Sequence, residues 1–224
     1  MSDIPSQSDV VIVGAGIVGS CTAYHLARRG RRVVLLEQFD FGHARGSSHG
    51  ESRIIRRTYP EAYYAAMMPT AYDLWCAAEV EFGQRVITTT GGLDFGSPEL
   101  LGELAKACAA CGVEHQFLDR AELAARFPTV KLPAGQPVVY SPESGSINAR
   151  KACVMFQQLA RAHGATLVDR TRAISLRHLA SGQISLGLEA GGAAGGGSAR
   201  RELVCGQVVL CAGPWTAKLL QRLT

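Results

Sequence analysis

The 224-residue sequence has no apolar run long enough to cross a membrane and no strong excess of either charge. No stretch approaches about 18 apolar residues in a row, and the amino-terminus lacks the charged and apolar segments that mark a secretory leader. The formal net charge is only +4, whereas nucleic-acid-binding domains usually carry a larger and more concentrated basic excess. We therefore expect a soluble, intracellular protein that binds neither membranes nor nucleic acid.

A paired-cysteine framework is also missing. The seven cysteines are odd in number and scattered along the chain, which is not typical of a disulfide-rich secreted fold. Cys211 in VVLCAGP stands in an apolar context, which favours buried free thiols in a reducing compartment. Cys108 and Cys111 form a CxxC motif in an alanine-rich, helical stretch without a second cysteine pair, so we expect no metal site.

The first 40 residues predict a strand, a helix and a second strand. DVVIVG, residues 9–14, is a short apolar run that ends in glycine and is typical of a buried strand. Apolar residues at helical spacing follow and stop at Gly30, and RRVVLLEQ is a second buried strand. A β-α-β unit of this length is the element from which parallel sheets are built.

The rest of the chain indicates an interrupted domain. Helices and short strands follow Glu61, and an amphipathic helix capped by Asn148 leads back to strand-like segments. This order predicts an α/β fold, in which a Rossmann-like nucleotide-binding domain is interrupted by part of an α+β domain. We place the nucleotide-binding domain at residues 1–85 and 146–224 and the inserted segment at 86–145. The glycine-rich residues 191–199 are expected to form the mobile tip of a hairpin.

GAGIVG, residues 14–19, is a GxGxxG motif that follows a strand and opens a helix. Gly14 permits a tight turn, Gly16 lets the backbone approach a pyrophosphate, and Gly19 permits close packing of helix on strand. Glu37, at the end of the second strand, can accept hydrogen bonds from a ribose. The motif therefore predicts a dinucleotide site, but it does not distinguish FAD from NAD.

RGSSHGESRIIRR, residues 45–57, concentrates four arginines and a histidine in a glycine- and serine-rich stretch. By itself it is compatible with a solvated loop, a nucleic-acid patch or the wall of a pocket for an anionic group. Together with the first strand–helix–strand unit and VVLCAGPWT, it resembles the sarcosine oxidase family of amine-oxidising flavoproteins. Within that family the likeness is to the peroxisomal sarcosine oxidase and L-pipecolate oxidase branch, and it covers nearly the whole chain.

The resemblance implies a glutathione-reductase-like FAD domain and assigns roles to individual residues. His49 and Arg53 would lie at the flavin ring, and Arg56 would hold the carboxylate of the substrate. A guanidinium suits that task because it matches a carboxylate with two parallel hydrogen bonds. The strand carrying Ala173 would contact adenine through its backbone. The residues expected to contact FAD are Gly14, Gly16, Ile17, Val18, Gly19, Glu37, Gln38, Ser47, Ser48, Ala173, Ala212, Gly213 and Trp215.

The resemblance also implies an activity: oxidation of the C–N bond of a secondary amino acid such as sarcosine or L-pipecolate, with O2 reduced to H2O2. Members of the family are longer, and their later part holds the cysteine that bonds to the flavin, so we expect a truncated chain that lacks this anchor. A complete chain would be a monomer, and a truncated one could self-associate. The expected compartment is the peroxisome in a eukaryote and the cytoplasm otherwise. The alternatives are a non-catalytic FAD-binding module and an NAD-dependent dehydrogenase.

Overall fold

A computed structural model describes residues 4–190 and 199–223, so residues 191–198 of the expected hairpin tip lie outside the described residues. Strands and helices alternate along the chain in a mixed α/β order. The elements are β1 (Gln7–Val13), α1 (Ile17–Arg28), β2 (Val33–Leu36), β3 (Arg53–Ile55), α2 (Ala62–Phe82), β4 (Ile87–Thr89), β5 (Gly92–Phe95), α3 (Pro98–Ala110), β6 (Gln116–Leu118), α4 (Arg120–Arg126), β7 (Val138–Ser141), β8 (Gly145–Ile147), α5 (Ala149–Ala162), β9 (Thr166–Val168), β10 (Thr171–His178), β11 (Ile184–Ala190), β12 (Ala199–Leu210), a 3-10 helix (Gly213–Trp215) and α6 (Thr216–Leu223).

The chain divides into two compact units. The first comprises Met1–Glu51 and Ala149–Thr224, and the second comprises Ser52–Asn148. The sequence-based division placed residues 52–85 in the nucleotide-binding domain, whereas in the structure they belong to the second unit. The physical reason is strand pairing and helix packing, because β3 pairs with β8 and α2 contacts α3.

The first unit is built on a six-stranded sheet with the order β10-β11-β12-β1-β2-β9. β1 pairs in parallel with both β2 and β12, and β2 pairs in parallel with β9. Val11 and Ile12 of β1 are completely buried, as expected for a central parallel strand that is covered on both faces. β10 and β11 extend the sheet as an antiparallel pair beside β12.

Helices α1 and α5 pack together in this unit. The rings of Tyr24 and Phe156 lie 5.6 Å apart between them and are both almost fully buried. α1 is followed by Gly30, which adopts a positive φ of 75° and donates its backbone N–H to Ala27 O at 2.8 Å. This left-handed residue ends the helix where the sequence predicts, and the chain then enters β2.

The second unit contains two three-stranded antiparallel sheets, with the orders β3-β8-β4 and β5-β7-β6. α4 begins with a capping box, in which Asp119 and Glu122 each accept the backbone N–H of the other at 2.8 Å. Pro69 lies inside one continuous helix, α2. This α+β unit lies in sequence between the two parts of the first.

Three further observations concern the described residues. Over residues 4–190 and 199–223, none of the helices is long and apolar enough to cross a membrane. In the same part of the chain, no group of three or more His, Cys, Asp or Glu side chains is placed to hold a metal ion. The seven cysteines, all within the described ranges, are free thiols.

Candidate dinucleotide-binding site

A cavity of about 340 Å³ lies entirely within the first unit, at the point where β1 gives way to α1. Parallel strands of α/β folds commonly bind ligands at this carboxyl edge of the sheet. Most residues that the sequence analysis assigned to a cofactor line this one cavity. They are Gly14, Gly16, Ile17, Val18, Glu37, Gln38, Ser47, Ser48, His49, Ala173, Ala212, Gly213 and Trp215.

The glycine turn between β1 and α1 has no room for side chains. Gly14 adopts a positive φ of 106°, and a Cβ at this position would lie 2.5 Å from the carbonyl oxygen of Cys211. A Cβ on Gly19 would lie 1.9 Å from the carbonyl oxygen of Gly14. Gly19 therefore does not line the cavity itself but lets α1 approach the turn, which is the packing role predicted from its spacing.

The first turn of α1 faces the cavity with backbone N–H groups and no acidic side chain. Gly16 is the N-cap and has no side chain to satisfy these donors. Ser48 Oγ accepts the N–H of Ile17 at 3.0 Å, and Val18 is 64% exposed. A helix start with backbone N–H donors and a partial positive charge favours an anion such as a pyrophosphate.

Glu37 closes the cavity on the β2 side, and its carboxylate is held in place by the backbone. Its side chain is almost fully buried, and Oε2 accepts the N–H of Ala15 at 3.0 Å from the glycine turn. The backbone of Glu37 is fixed as well, because its N–H donates to Val168 O and its carbonyl accepts from Thr171 N, both at 2.8 Å. The carboxylate is therefore placed rigidly beside the glycine turn, where the sequence predicts a ribose-binding acid.

Two buried polar groups under the turn were not predicted from the sequence. Gln157 of α5 donates its Nε2 to Ala15 O at 3.2 Å and to Ser20 Oγ at 3.3 Å. Cys153, one turn earlier on the same helix, hydrogen-bonds Ser48, and burial raises the pKa of its thiol. A polar residue such as Gln157 within the apolar stripe of a helix is the signal that could have identified this support.

The rim of the cavity combines aromatic and basic side chains. Phe39 lies edge-on to both His43 and Trp215, with ring centroids 4.9 and 6.4 Å away. The guanidinium of Arg45 stacks over Phe39 at 4.5 Å. Arg150, Arg172 and Lys218 also line the cavity, so its surroundings are suited to a negatively charged ligand.

The two arginines expected near the flavin ring and the substrate belong to the second unit. Arg53 begins β3 and bonds the carbonyl oxygen of Ser52 at 2.6 Å. Arg56 Nη1 lies 3.1 Å from Asp94 Oδ1, and Thr58 donates its hydroxyl to Asp94 Oδ2 at 2.7 Å. The ring of Tyr59 lies 4.9 Å below the Arg56 guanidinium. Arg56 is thus an oriented cation, and its part in substrate binding stays a prediction.

Comparison with known proteins identifies the family. The model of the family described as FAD dependent oxidoreductase matches residues 9–224. The chain belongs to this family of FAD-dependent oxidoreductases. The resemblance drawn from the sequence is thereby confirmed, and FAD rather than a nicotinamide is the cofactor that family membership supports.

Curated relatives of this chain are named sarcosine oxidases. A probable sarcosine oxidase of Arabidopsis thaliana is 42% identical over 172 residues, which are 75% of this chain and 41% of the relative. The peroxisomal sarcosine oxidase of Homo sapiens is 37% identical over 217 residues, which are 96% of this chain and 53% of the relative. The chain spans about half the length of these curated relatives.

Solved structures confirm the predicted fold class. NikD, an unusual amino acid oxidase essential for nikkomycin biosynthesis, superposes in its open form with a TM-score of 0.80 at 30% identity, over 97% of this chain and 54% of NikD. L-proline dehydrogenase from P. horikoshii superposes with a TM-score of 0.83 at 22% identity, over 98% of this chain and 56% of that chain, and shows the fold alone.

The residues present fit the nucleotide part of FAD. The glycine turn packs so closely on the backbone of Cys211 that Gly14 has no room for a side chain, the start of α1 offers donors, and Glu37 offers an acceptor beside the turn. On the opposite wall, Ala173 is buried next to an irregularity in the pairing of β10 with β11. Such a bulge leaves backbone groups outside the regular ladder, which suits the main-chain contact expected for adenine.

Proposed function

We propose that this chain forms the FAD-binding part of an oxidoreductase that oxidises the C–N bond of a secondary amino acid such as sarcosine or L-pipecolate, with O2 reduced to H2O2. The observation that carries the proposal is the cavity at the start of α1, where the glycine turn, Ser48 and Glu37 meet. Family membership and relatives named sarcosine oxidases support the reaction class.

The protein's contribution is to bind and orient. FAD, when bound, accepts a hydride equivalent from the carbon next to the amine nitrogen. The backbone at Gly14 and Gly16 and the start of α1 hold the pyrophosphate, and Glu37 accepts hydrogen bonds from the ribose. Ser48 keeps the loop that carries Ser47 and His49 against the first turn of α1. Fixing both partners in this way removes orientational freedom that would otherwise oppose the reaction.

Arg56 is the residue we propose for the carboxylate of the substrate, with Arg53 and His49 at the flavin ring. The support for Arg56 is its orientation, since Asp94 holds one guanidinium nitrogen at 3.1 Å. The side chain is 40% exposed, so further N–H donors remain to pair with a second carboxylate. Its planar fork recognises a carboxylate better than the point charge of lysine would.

The remaining proposals concern partners and compartment. The substrate is a small amino acid together with O2. We propose that a complete chain is a monomer, and that a truncated one could self-associate through the surface that the rest of a longer protein would cover. Sarcosine oxidases among the relatives are named peroxisomal, so the peroxisome is the proposed compartment if the source is eukaryotic, and the cytoplasm otherwise.

Visible absorption of the purified protein titrated with FAD tests this function. We expect bound flavin with a perturbed spectrum, and loss of the flavin absorption when sarcosine or L-pipecolate is added without oxygen. Tight NAD or NADP binding with no FAD binding would favour a nicotinamide-dependent dehydrogenase and refute the proposal. Bound FAD that neither amine reduces would leave the non-catalytic FAD-binding module as the function.

A further inference from the structure

The carboxylate of Glu37 is held by three donors, and one of them is a side chain. Oε2 accepts the backbone N–H of Ala15 at 3.0 Å, and Oε1 accepts the backbone N–H of Phe39 at 3.1 Å. His43 Nε2 lies 3.3 Å from the same Oε1. A buried carboxylate needs such partners, because removing its charge from water without them is costly. The two backbone donors come with the fold, whereas the third depends on a single residue.

The orientation of the His43 ring is fixed on its other side. Its Nδ1 lies 3.0 Å from the backbone N of Arg45 and accepts that N–H. A neutral imidazole that accepts at Nδ1 carries its proton on Nε2, so the nitrogen that faces Glu37 is the donor. The ring of Phe39 packs edge-on against His43, with centroids 4.9 Å apart, and the His43 side chain is only 20% exposed.

These contacts give the two carboxylate oxygens of Glu37 different numbers of hydrogen-bond donors. Oε1 has two donors, from Phe39 and His43, and Oε2 has one, from Ala15. A carboxylate oxygen accepts about two hydrogen bonds, so the remaining capacity lies on Oε2, the oxygen next to the glycine turn. Without the His43 donor, Oε1 would be left short of a partner and the carboxylate could turn to find one.

We propose that His43 is a positioning residue that holds Oε1 of Glu37, so that Oε2 is presented to a hydroxyl of the adenosine ribose. The inference rests on the proposed function, because it assumes that FAD occupies the cavity. His43 does not touch the reacting atoms in this scheme. It acts through Glu37 and sets how tightly the nucleotide half of the cofactor is held.

Two substitutions at His43 separate positioning from packing. The side-chain amide of His43→Gln can place an N–H donor near the position of Nε2, towards Glu37. The shorter His43→Asn can replace the Nδ1 acceptor towards Arg45 but cannot reach Glu37. We expect His43→Asn to raise the FAD Kd by about 10-fold, the scale of one hydrogen bond to a charged group, and His43→Gln to stay within about 3-fold of the natural protein. In a Glu37→Gln background, His43→Asn should have no additional effect.

Titration calorimetry of the full chain with FAD, ADP and 2′,3′-dideoxy-ADP measures the ribose dependence. The His43→Asn loss should appear with FAD and ADP and vanish with the dideoxy compound. Equal affinities for the two His43 variants, or an undiminished loss with dideoxy-ADP, would overturn the inference while leaving FAD binding intact. Failure of the natural protein to bind FAD would instead refute the proposed function, and the inference with it.

Nitrogen chemical shifts of the His43 ring give a second measurement that needs no variant. We expect a neutral ring with its proton on Nε2 and with Nδ1 unprotonated. A proton on Nδ1 at neutral pH would overturn the inference, because Nδ1 would then no longer accept the Arg45 N–H and the ring would turn away from Glu37.

Discussion

Ser48 Oγ accepts the backbone N–H of Ile17 at 3.0 Å, although the two residues are 31 positions apart. The bond joins the serine-rich loop to the first turn of α1. It also satisfies one of the helix-start donors that would otherwise point into the cavity. The thiol of Cys153 reaches the same Ser48 from α5, so three segments of the first unit converge on one hydroxyl.

Ser48→Ala should weaken FAD binding by about 1–2 kcal/mol, because it leaves the Ile17 N–H without its partner and frees the loop. The measurement is the FAD Kd from flavin fluorescence, with the unfolding midpoint recorded in parallel. Ser181→Ala is the control, since Ser181 lies in an exposed turn between β10 and β11. An unchanged Kd for Ser48→Ala would show that the loop is held by other contacts.

Gly19→Ala and Gly102→Ala should change stability in opposite directions, although both replace a helical glycine. At Gly19 the added Cβ would lie 1.9 Å from the backbone oxygen of Gly14, so the helix must move away from the turn. We expect a loss of about 3 kcal/mol or more in the free energy of unfolding. At Gly102 in α3 nothing lies within 4 Å, and alanine should stabilise by about 0.5–1 kcal/mol because it favours helix.

Urea unfolding followed by circular dichroism measures both glycine variants. Gly19→Ala should also lose FAD affinity, because the displaced turn no longer leaves its N–H groups in place. A Gly19→Ala protein as stable as the natural one would mean that α1 can shift at little cost, contrary to the close packing that we describe.

The sequence predicted the parts of the site that depend on local backbone geometry. The roles of the three glycines, Gly14, Gly16 and Gly19, could be assigned from the sequence. They lie within six positions, where a tight turn followed by a helix restricts which residue types fit. Glu37 could be assigned because it ends the strand next to that turn. The capping box of Asp119 and Glu122 was predictable for the same reason, since its two bonds span three residues.

Contacts between distant segments could not be predicted. The amide of Gln157 supports Ala15 across 142 positions, and no local pattern specifies that pairing. Asp94 meets Arg56 across 38 positions, so the sequence showed an arginine but not the carboxylate that orients it. The domain boundary after residue 85 was placed from local sequence patterns alone. In the structure, the pairing of β3 with β8 decides to which unit residues 52–85 belong.

Gln157→Leu should destabilise the first unit by about 1–3 kcal/mol and weaken FAD binding, because Ser20 Oγ and Ala15 O lose a buried donor beneath the glycine turn. Gln158→Leu is a matched control, since the next residue on α5 is exposed and its amide faces away from the turn. Calorimetric unfolding with and without FAD separates the two effects. Equal behaviour of the two leucine variants would show that the amide of Gln157 contributes nothing to the turn.

Alkaline pH should destabilise the protein through Cys21 of α1. Burial raises the pKa of this thiol from 9.0 to about 11 in the folded protein. The unfolded chain therefore loses the proton first, and the stability that depends on the neutral thiol is complete below about pH 9 and is lost as the pH rises towards 11. The expected loss across this window is on the order of 2 kcal/mol.

Comparing natural and variant chains separates the contribution of the Cys21 thiol to stability from those of other groups that titrate at high pH. The measurement is the unfolding free energy of the natural protein and of Cys21→Ala, in urea with a reductant, at pH 8 and at pH 11. The two proteins should differ less at pH 11, because the alanine variant has no thiol to ionise. Cys76→Ala is the control, since Cys76 is exposed and its removal should leave the pH dependence unchanged. If the difference between the natural protein and Cys21→Ala stays constant from pH 8 to pH 11, the thiol is accessible to water in the folded state.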